Sequence, residues 1–104
     1  MIMSYFAATT LREAKRMSAL RESYEKQLAS LPKGSLQVKE RNGREYFYLA
    51  YRRDGKVVSE YVGNDESIVA DLKEQLERRK NIENLLKSIK NELRLMNRAL
   101  EVVR

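Results

Sequence analysis

Residues 35–62 read SLQVKERNGREYFYLAYRRDGKVVSEYV, and this stretch carries the clearest structural signal in the sequence. Its apolar and polar residues alternate with the period of two that is typical of β-strands. The dipeptides Asn42-Gly43 and Asp54-Gly55 interrupt the alternation, and each favours the positive φ angles that a two-residue hairpin turn requires. The stretch therefore predicts a three-stranded antiparallel meander with strands over 35–41, 44–53 and 56–62.

Two-residue turns also fix the register of the predicted sheet, because Arg41 must then face Arg44 and Arg53 must face Lys56. One face is apolar and is expected to be the core face: it carries Leu36, Val38, Phe47, Leu49, Tyr51, Val58 and Val62. The other face mixes tyrosines with cations: it carries Gln37, Lys39, Arg41, Arg44, Tyr46, Tyr48, Ala50, Arg52, Val57, Ser59 and Tyr61. Glu60 falls on the apolar face, where we interpret it as an edge-strand charge that discourages aggregation.

A helix is predicted before the sheet, over residues 10–31, after a leader of residues 1–9. Thr10 and Glu13 form a capping-box pattern at its start, and Pro32 and Gly34 end it. Apolar residues recur along this segment at steps of three and four: Ala14, Met17, Leu20, Tyr24, Leu28 and Leu31. This stripe predicts one buried helix face.

A longer helix is predicted after the sheet, over residues 65–103, with Asn64 or Asp65 as its N-cap. Apolar residues alternate there at steps of four and three, as in a coiled-coil seam: Ile82, Leu86, Ile89, Leu93, Met96, Leu100 and Val103. The two helices leave the sheet from the same end, so they can pair antiparallel as a helical hairpin. A homodimer through the seam is the alternative, and the pattern does not decide between them.

Together these elements predict a single α+β domain over residues 1–104, in the order αβββα. The 104-residue length is that of one small domain. The opening residues lack the pattern of a secretory signal, and no stretch approaches the roughly 20 apolar residues of a membrane span. We therefore expect a cytoplasmic protein that does not contact a membrane.

The composition excludes most catalytic chemistry. The chain has no His and no Cys, which removes histidine general bases, thiol nucleophiles and His/Cys zinc sites. The glycines are explained by turns and chain breaks rather than by a phosphate-binding loop. The carboxylates with a conceivable metal role show no recognised ligand spacing: Glu40, Glu45, Asp54, Glu60 and Asp65. We expect a non-enzymatic protein without catalytic residues, cofactors or a metal site.

The polar face of the sheet is the candidate functional surface. The chain carries a net charge of +6, and half of it lies between residues 32 and 64. Cations neutralise phosphates, and tyrosine rings can stack on exposed bases. The residues expected to bind nucleic acid are Lys39, Arg41, Arg44, Tyr46, Tyr48, Arg52 and Tyr61. The competing interpretation is a merely solvated or helix-covered face, because cross-strand tyrosines stabilise a sheet and cations solubilise it without any ligand.

A second hypothesis makes the C-terminal helix the working surface. Under it the chain is a protein-interaction or oligomerisation module, and the seam from Ile82 to Val103 binds another protein or a second copy. The expected partners are thus nucleic acid, DNA in preference to RNA, with a homodimer or another protein as alternatives.

The sheet segment and the helix after it resemble a group of small uncharacterised microbial and phage proteins. The matching residues are Gly34-Ser35-Leu36, Tyr46, Tyr48, Tyr51-Arg52, Asp54-Gly55-Lys56 and Tyr61-Val62-Gly63. Similar strands open some transposases and resemble the three-stranded arm-binding modules of tyrosine recombinases. The resemblance implies DNA contact by the sheet and a mobile-element or phage setting, and it transfers no catalytic residue.

Overall fold

A computed structural model describes residues 4–103 of the chain. The elements are α1 (Tyr5–Ala29), β1 (Ser35–Arg41), β2 (Arg44–Arg53), β3 (Lys56–Gly63) and α2 (Glu66–Val103). The predicted α+β fold of order αβββα is confirmed. The strand boundaries lie within one residue of those predicted, because the turn dipeptides place them.

The Cα positions group into two compact units, and each is described by itself. The helical unit comprises the described parts of Met1–Ser30 and Asn81–Arg104. The sheet unit is Leu31–Lys80. The assignment of residues 1–104 to one domain stays a prediction.

The start of α1 differs from the prediction. The helix begins at Tyr5 rather than at residue 10, and Ser4 is its N-cap, with the Ser4 Oγ accepting a hydrogen bond from the Ala7 N–H at 3.1 Å. The prediction of Thr10 as the N-cap was wrong, because Ser4, six residues earlier, caps the helix instead. Of the predicted leader, residues 1–3 lie outside the described part of the chain, and 5–9 are helical. Glu13 instead pairs with Arg16.

The helical unit has its core between α1 and the C-terminal part of α2. Ala14, Ile89 and Leu93 are buried together, and Met17, Leu20, Tyr24 and Met96 pack against them. Ile82 and Leu86 of the predicted seam are also buried. Leu100 is half-buried, and the side chain of Val103 lies outside the described part of the chain. The seam therefore packs on α1 of the same chain, which favours the helical hairpin over a dimer at this seam.

The end of α1 also differs slightly from the prediction. The helix ends at Ala29, so Leu31 lies beyond it instead of on its apolar stripe. The Leu31 carbonyl accepts a hydrogen bond from the Arg79 guanidinium at 3.0 Å. This bond links the segment after α1 to α2 within the sheet unit.

The sheet of the second unit has the predicted strand order and, apart from one shift between Phe47 and Tyr48, the predicted register. Its strands are antiparallel in the order β1-β2-β3, with Arg41 opposite Arg44 and Arg53 opposite Lys56. Both turns have two residues with positive φ, at 53° and 75° in the first and 52° and 78° in the second. These are the backbone angles that the Asn-Gly and Asp-Gly dipeptides favour.

The register shifts once, between Phe47 and Tyr48, so that Gly63 rather than Val62 lies opposite Phe47. The predicted core face is also less buried than expected. None of its members is fully buried, and Val38 is 53% exposed. Alternation identifies the more apolar face of a strand but not what covers it. In the sheet unit the buried apolar side chain belongs to Val69 of α2 instead.

Asn64 and Asp65 were the two predicted N-caps of α2, and Asp65 is the residue that caps it. Its Oδ1 accepts hydrogen bonds from the Ser67 N–H at 2.9 Å, the Ile68 N–H at 3.3 Å and the Ser67 hydroxyl at 2.7 Å. These donors stabilise the carboxylate and lower the pKa of Asp65. Among residues 4–103, neither helix combines the length and apolar character needed to cross a membrane.

Candidate nucleic-acid interface

The register brings the seven residues predicted to bind nucleic acid to one side of the sheet. Cross-strand partners share a face, and Lys39 lies opposite Tyr46, Arg41 opposite Arg44, and Tyr48 opposite Tyr61. Arg52 lies opposite Val57 on the same side. We call this side the tyrosine face: Ser35, Gln37, Lys39, Arg41, Arg44, Tyr46, Tyr48, Ala50, Arg52, Val57, Ser59 and Tyr61.

Three tyrosine rings form a cluster across β2 and β3 on this face. The Tyr61 ring centroid lies 5.3 Å from that of Tyr48 and 6.3 Å from that of Tyr46, with interplanar angles of 57° and 39°. Tilted pairs at these distances are favourable, because the positive ring edge approaches the negative ring face. Tyr61 is 60% exposed, whereas the other two rings are half-buried. The Tyr46 and Tyr48 rings therefore pack against Tyr61, and Tyr61 is the most accessible ring of the cluster.

Lys39 extends the cluster from β2 and β3 onto β1. The Lys39 Nζ on β1 lies 4.5 Å from the centroid of the Tyr48 ring, within the range of a cation–π contact. The contact holds a positive charge beside the rings and is made across strands, so sequence spacing alone did not identify it. One cation, three rings and three strands thus form one continuous surface.

The other three cations of the tyrosine face lie near the strand ends. Arg41 and Arg44 face each other across the first turn, and Arg52 lies beside the second turn. All three are exposed. At about 3.3 Å per residue, the eight steps from Arg44 to Arg52 span about 26 Å. Arg44 also lines a cleft of about 490 Å³ that includes Phe47 and Lys73, so its side chain lies at the border of the face.

The charges of the strands are segregated between the two faces. The tyrosine face carries four cations, and among the described strand residues no carboxylate lies on it. The three strand carboxylates, Glu40, Glu45 and Glu60, all lie on the opposite face together with Arg53 and Lys56. One face is thus purely cationic and the other mixed, which concentrates positive potential on the tyrosine side.

The opposite face, which we call the phenylalanine face, has polar contacts of its own. The Tyr51 hydroxyl donates a hydrogen bond to the Glu60 carboxylate, and this bond raises the pKa of Tyr51. Glu60 is therefore more than the isolated edge charge that we expected. The Arg53 guanidinium lies 5.7 Å from the Tyr51 ring centroid, and the Lys73 Nζ of α2 lies 5.5 Å from that of Phe47.

Sequence reasoning missed the Lys73 contact, because it joins α2 to a strand 26 positions earlier and no local pattern predicts it. The Tyr51–Glu60 contact could have been predicted from the register, since these two residues are diagonal neighbours on one face. Within residues 4–103, no group of three or more Asp or Glu side chains is arranged to hold a metal ion.

Comparison with known proteins identifies a family but not an activity. The model of a family described as "Domain of unknown function (DUF6788)" matches residues 13–78. The match covers most of α1, the whole sheet and the first part of α2. No curated protein and no solved structure gives a significant match.

Proposed function

We propose that this chain, which belongs to the DUF6788 family, is a small non-enzymatic nucleic-acid-binding protein that uses the tyrosine face of its sheet. In this proposal Lys39, Arg41, Arg44 and Arg52 hold the phosphate backbone, while Tyr46, Tyr48 and Tyr61 position the sheet or contact bases.

The observation that carries the proposal is the charge segregation of the sheet. Tyrosines and cations alone are common on solvated strands. A solvated face needs no exclusion of carboxylates, however, and interspersed charges of both signs solubilise a surface equally well. Here the four cations share one face while Glu40, Glu45 and Glu60 lie on the other. No strand carboxylate on this face would repel a phosphate.

The geometry of the rings supports the same proposal. The tyrosine cluster lies between the Arg41–Arg44 pair and Arg52, so a ligand whose charges contact the strand ends would lie over the rings. Nucleic acids combine a charged backbone with flat bases in this way. The resemblance to recombinase and transposase sheet modules favours DNA over RNA as the ligand.

Fluorescence anisotropy tests the proposal directly. Labelled duplex DNA, single-stranded DNA and structured RNA would each be titrated with the protein at low and at physiological salt. We expect micromolar or tighter binding of at least one nucleic acid, weakening steeply with salt, because phosphate contacts release counterions. The double reversal Arg41→Glu with Arg52→Glu should abolish it. Absence of binding at low salt would refute the proposal.

A second candidate function is self-association through the helical unit. The seam itself packs inside the chain, but large apolar side chains remain exposed nearby: Tyr5 is 84%, Phe6 57% and Leu95 49% exposed. Tyr5, Phe6, Leu95 and Met96 line an open cleft of about 490 Å³. Exposed apolar patches of this kind are typical of interaction sites.

Under this second candidate a second copy of the chain covers the cleft. Sedimentation equilibrium tests it: the wild type should show a dimer whose dissociation constant rises at least tenfold on Phe6→Asp. A monomeric wild type at high micromolar concentration would refute self-association. The result is independent of the nucleic-acid test, because Phe6 lies outside the sheet unit.

A further inference from the structure

We infer that the tyrosine face binds single-stranded nucleic acid in preference to duplex, with unstacked bases on the Tyr48–Tyr61 platform and phosphates on the flanking cations. This inference rests on the proposed function and specifies the form of its ligand. It depends on where along the strands each kind of side chain lies.

The middle of the face carries rings rather than long polar side chains. Gln37, Tyr48 and Tyr61 form one row across the sheet, and the next row is Ser35, Ala50 and Ser59. A sheet that reads duplex DNA places side chains such as arginine or asparagine where they reach base edges in the groove. In these two rows only Gln37 has a group of that kind, so the central surface is poorly suited to reading base edges.

The tyrosine rings are suited to base faces instead. In a duplex the faces of the bases are covered by their neighbours, and only the edges are accessible. A ring can therefore stack only on a base that has left the helix or belongs to a single strand. Tyr61 is 60% exposed, and its ring is inclined by 57° and 39° to its neighbours, so they do not stack face to face on it.

The row of small side chains adds room beside the platform. Ser35, Ala50 and Ser59 separate the ring row from the row of Arg52. At about 3.3 Å per residue, Tyr48 and Arg52 lie about 13 Å apart along β2. A flexible single strand can follow this low surface from the rings to the guanidinium, whereas a rigid duplex cannot bend into it over so short a distance.

The test compares ligands of equal length. The probes are a labelled oligothymidylate and a labelled oligouridylate of about 12 nucleotides, a duplex of the same length, and an abasic oligonucleotide with the same backbone but no bases. We expect the single strands to bind at least tenfold more tightly than the duplex and the abasic strand. Preference between the first two probes assigns the single strand as DNA or RNA.

Variants of the platform give the second measurement. Tyr61→Leu should weaken oligothymidylate binding at least fivefold, the lower end of what one base–aromatic stack contributes, and should leave duplex binding within twofold. Tyr61→Phe keeps the ring and should bind like the wild type. Tyr51→Leu is the matched control, because Tyr51 is a strand tyrosine that lies on the opposite face of the sheet.

A third measurement needs no variant and holds even if Tyr61→Leu fails to fold. The chain has no Trp, so its intrinsic fluorescence comes from its six tyrosines. Stacked bases should quench it on titration with unlabelled oligothymidylate, and the abasic strand should not.

Duplex binding as tight as single-strand binding, or equal binding of the abasic strand, would overturn the inference and leave the proposed function standing. Failure of every probe to bind at low salt would overturn the proposed function as well.

Discussion

Arg52 and Arg53 are neighbours in β2 but belong to opposite faces of the sheet. Arg52 lies opposite Val57 on the tyrosine face, and Arg53 lies opposite Lys56 on the phenylalanine face. Both side chains are exposed. The pair therefore separates an effect of the face from an effect of net charge.

The first prediction compares Arg52→Glu with Arg53→Glu. Each change lowers the net charge by two, but only the first places a carboxylate on the cationic face. Arg52→Glu should weaken nucleic-acid binding about tenfold or more at low salt and reduce the slope of log K against log salt, because a phosphate contact is lost. Arg53→Glu should change affinity much less. Anisotropy titrations measure both, and equal losses would show that only net charge matters.

The second prediction concerns Gly34, which precedes β1. Its φ is +119°, and a Cβ there would lie 2.2 Å from the Ala50 carbonyl oxygen. Gly34→Ala must therefore move backbone that belongs to the sheet, at a cost of about 2–4 kcal/mol of unfolding free energy. Urea denaturation followed by circular dichroism measures the loss.

Gly43→Ala is the control for Gly34→Ala. Gly43 also has a positive φ, +75°, but a Cβ there meets no atom within 4 Å. Its loss should be about 1 kcal/mol, the cost of an ordinary residue in the left-handed region. Equal losses for the two variants would contradict the close approach of Gly34 to Ala50.

The third prediction concerns Asp65, the N-cap of α2. Hydrogen bonds from Ser67 and Ile68 lower its pKa in the folded chain below its unfolded value. The cap therefore stabilises the fold fully above the unfolded pKa of about 3.9, and the stabilisation is lost as pH falls through the folded pKa. Asp65→Ala should lower the Tm at pH 7, and its difference from the wild type should shrink towards pH 2.

Thermal unfolding at a series of pH values measures this difference. Asp65→Asn is the matched variant, because an asparagine oxygen still caps the helix but does not titrate in this range. Its Tm should fall less than that of Asp65→Ala at pH 7. A gap between wild type and Asp65→Ala that stays constant from pH 7 to pH 2 would show that the carboxylate charge is unimportant.

The fourth prediction concerns the Tyr51 phenol. It donates to the Glu60 carboxylate, and this bond raises its pKa. A raised folded pKa stabilises the fold below the unfolded value of about 10, and the stabilisation is lost as pH rises through the folded value. Glu60→Gln should therefore lower the pKa of Tyr51 in an NMR titration. An unchanged pKa in Glu60→Gln would contradict the assignment.

The sheet was predictable nearly residue by residue because its signals are local. Asn42-Gly43 and Asp54-Gly55 specify both turn type and loop length, and these fix the register for the strands on either side. The start of α1 was not predictable in this way. Ser4 and Thr10 are both competent N-caps, and choosing between them requires knowing that Ala7 is buried in the folded chain.

The sequence predicted which residues share the face of the candidate site, but not how their side chains are arranged on it. Alternation and the two turn dipeptides together placed Tyr48 and Tyr61 on one face with the cations, and the register confirms that placement. The ring distances, the position of Lys39 over Tyr48 and the exposure of Tyr61 depend on side-chain conformation and on what covers the face. Strand periodicity carries no information about either.

The last prediction tests the packing of the helical unit with Leu93 and Leu95, two leucines of α2. Leu93 is 8% exposed and packs in the cluster with Ala14 and Ile89, whereas Leu95 is 49% exposed. Leu93→Ala leaves a cavity between the helices and should cost about 2–4 kcal/mol of unfolding free energy. Leu95→Ala should cost less than about 1 kcal/mol. Because both variants remove the same atoms and keep helix propensity high, denaturation curves of equal midpoint would mean that the seam does not pack on α1.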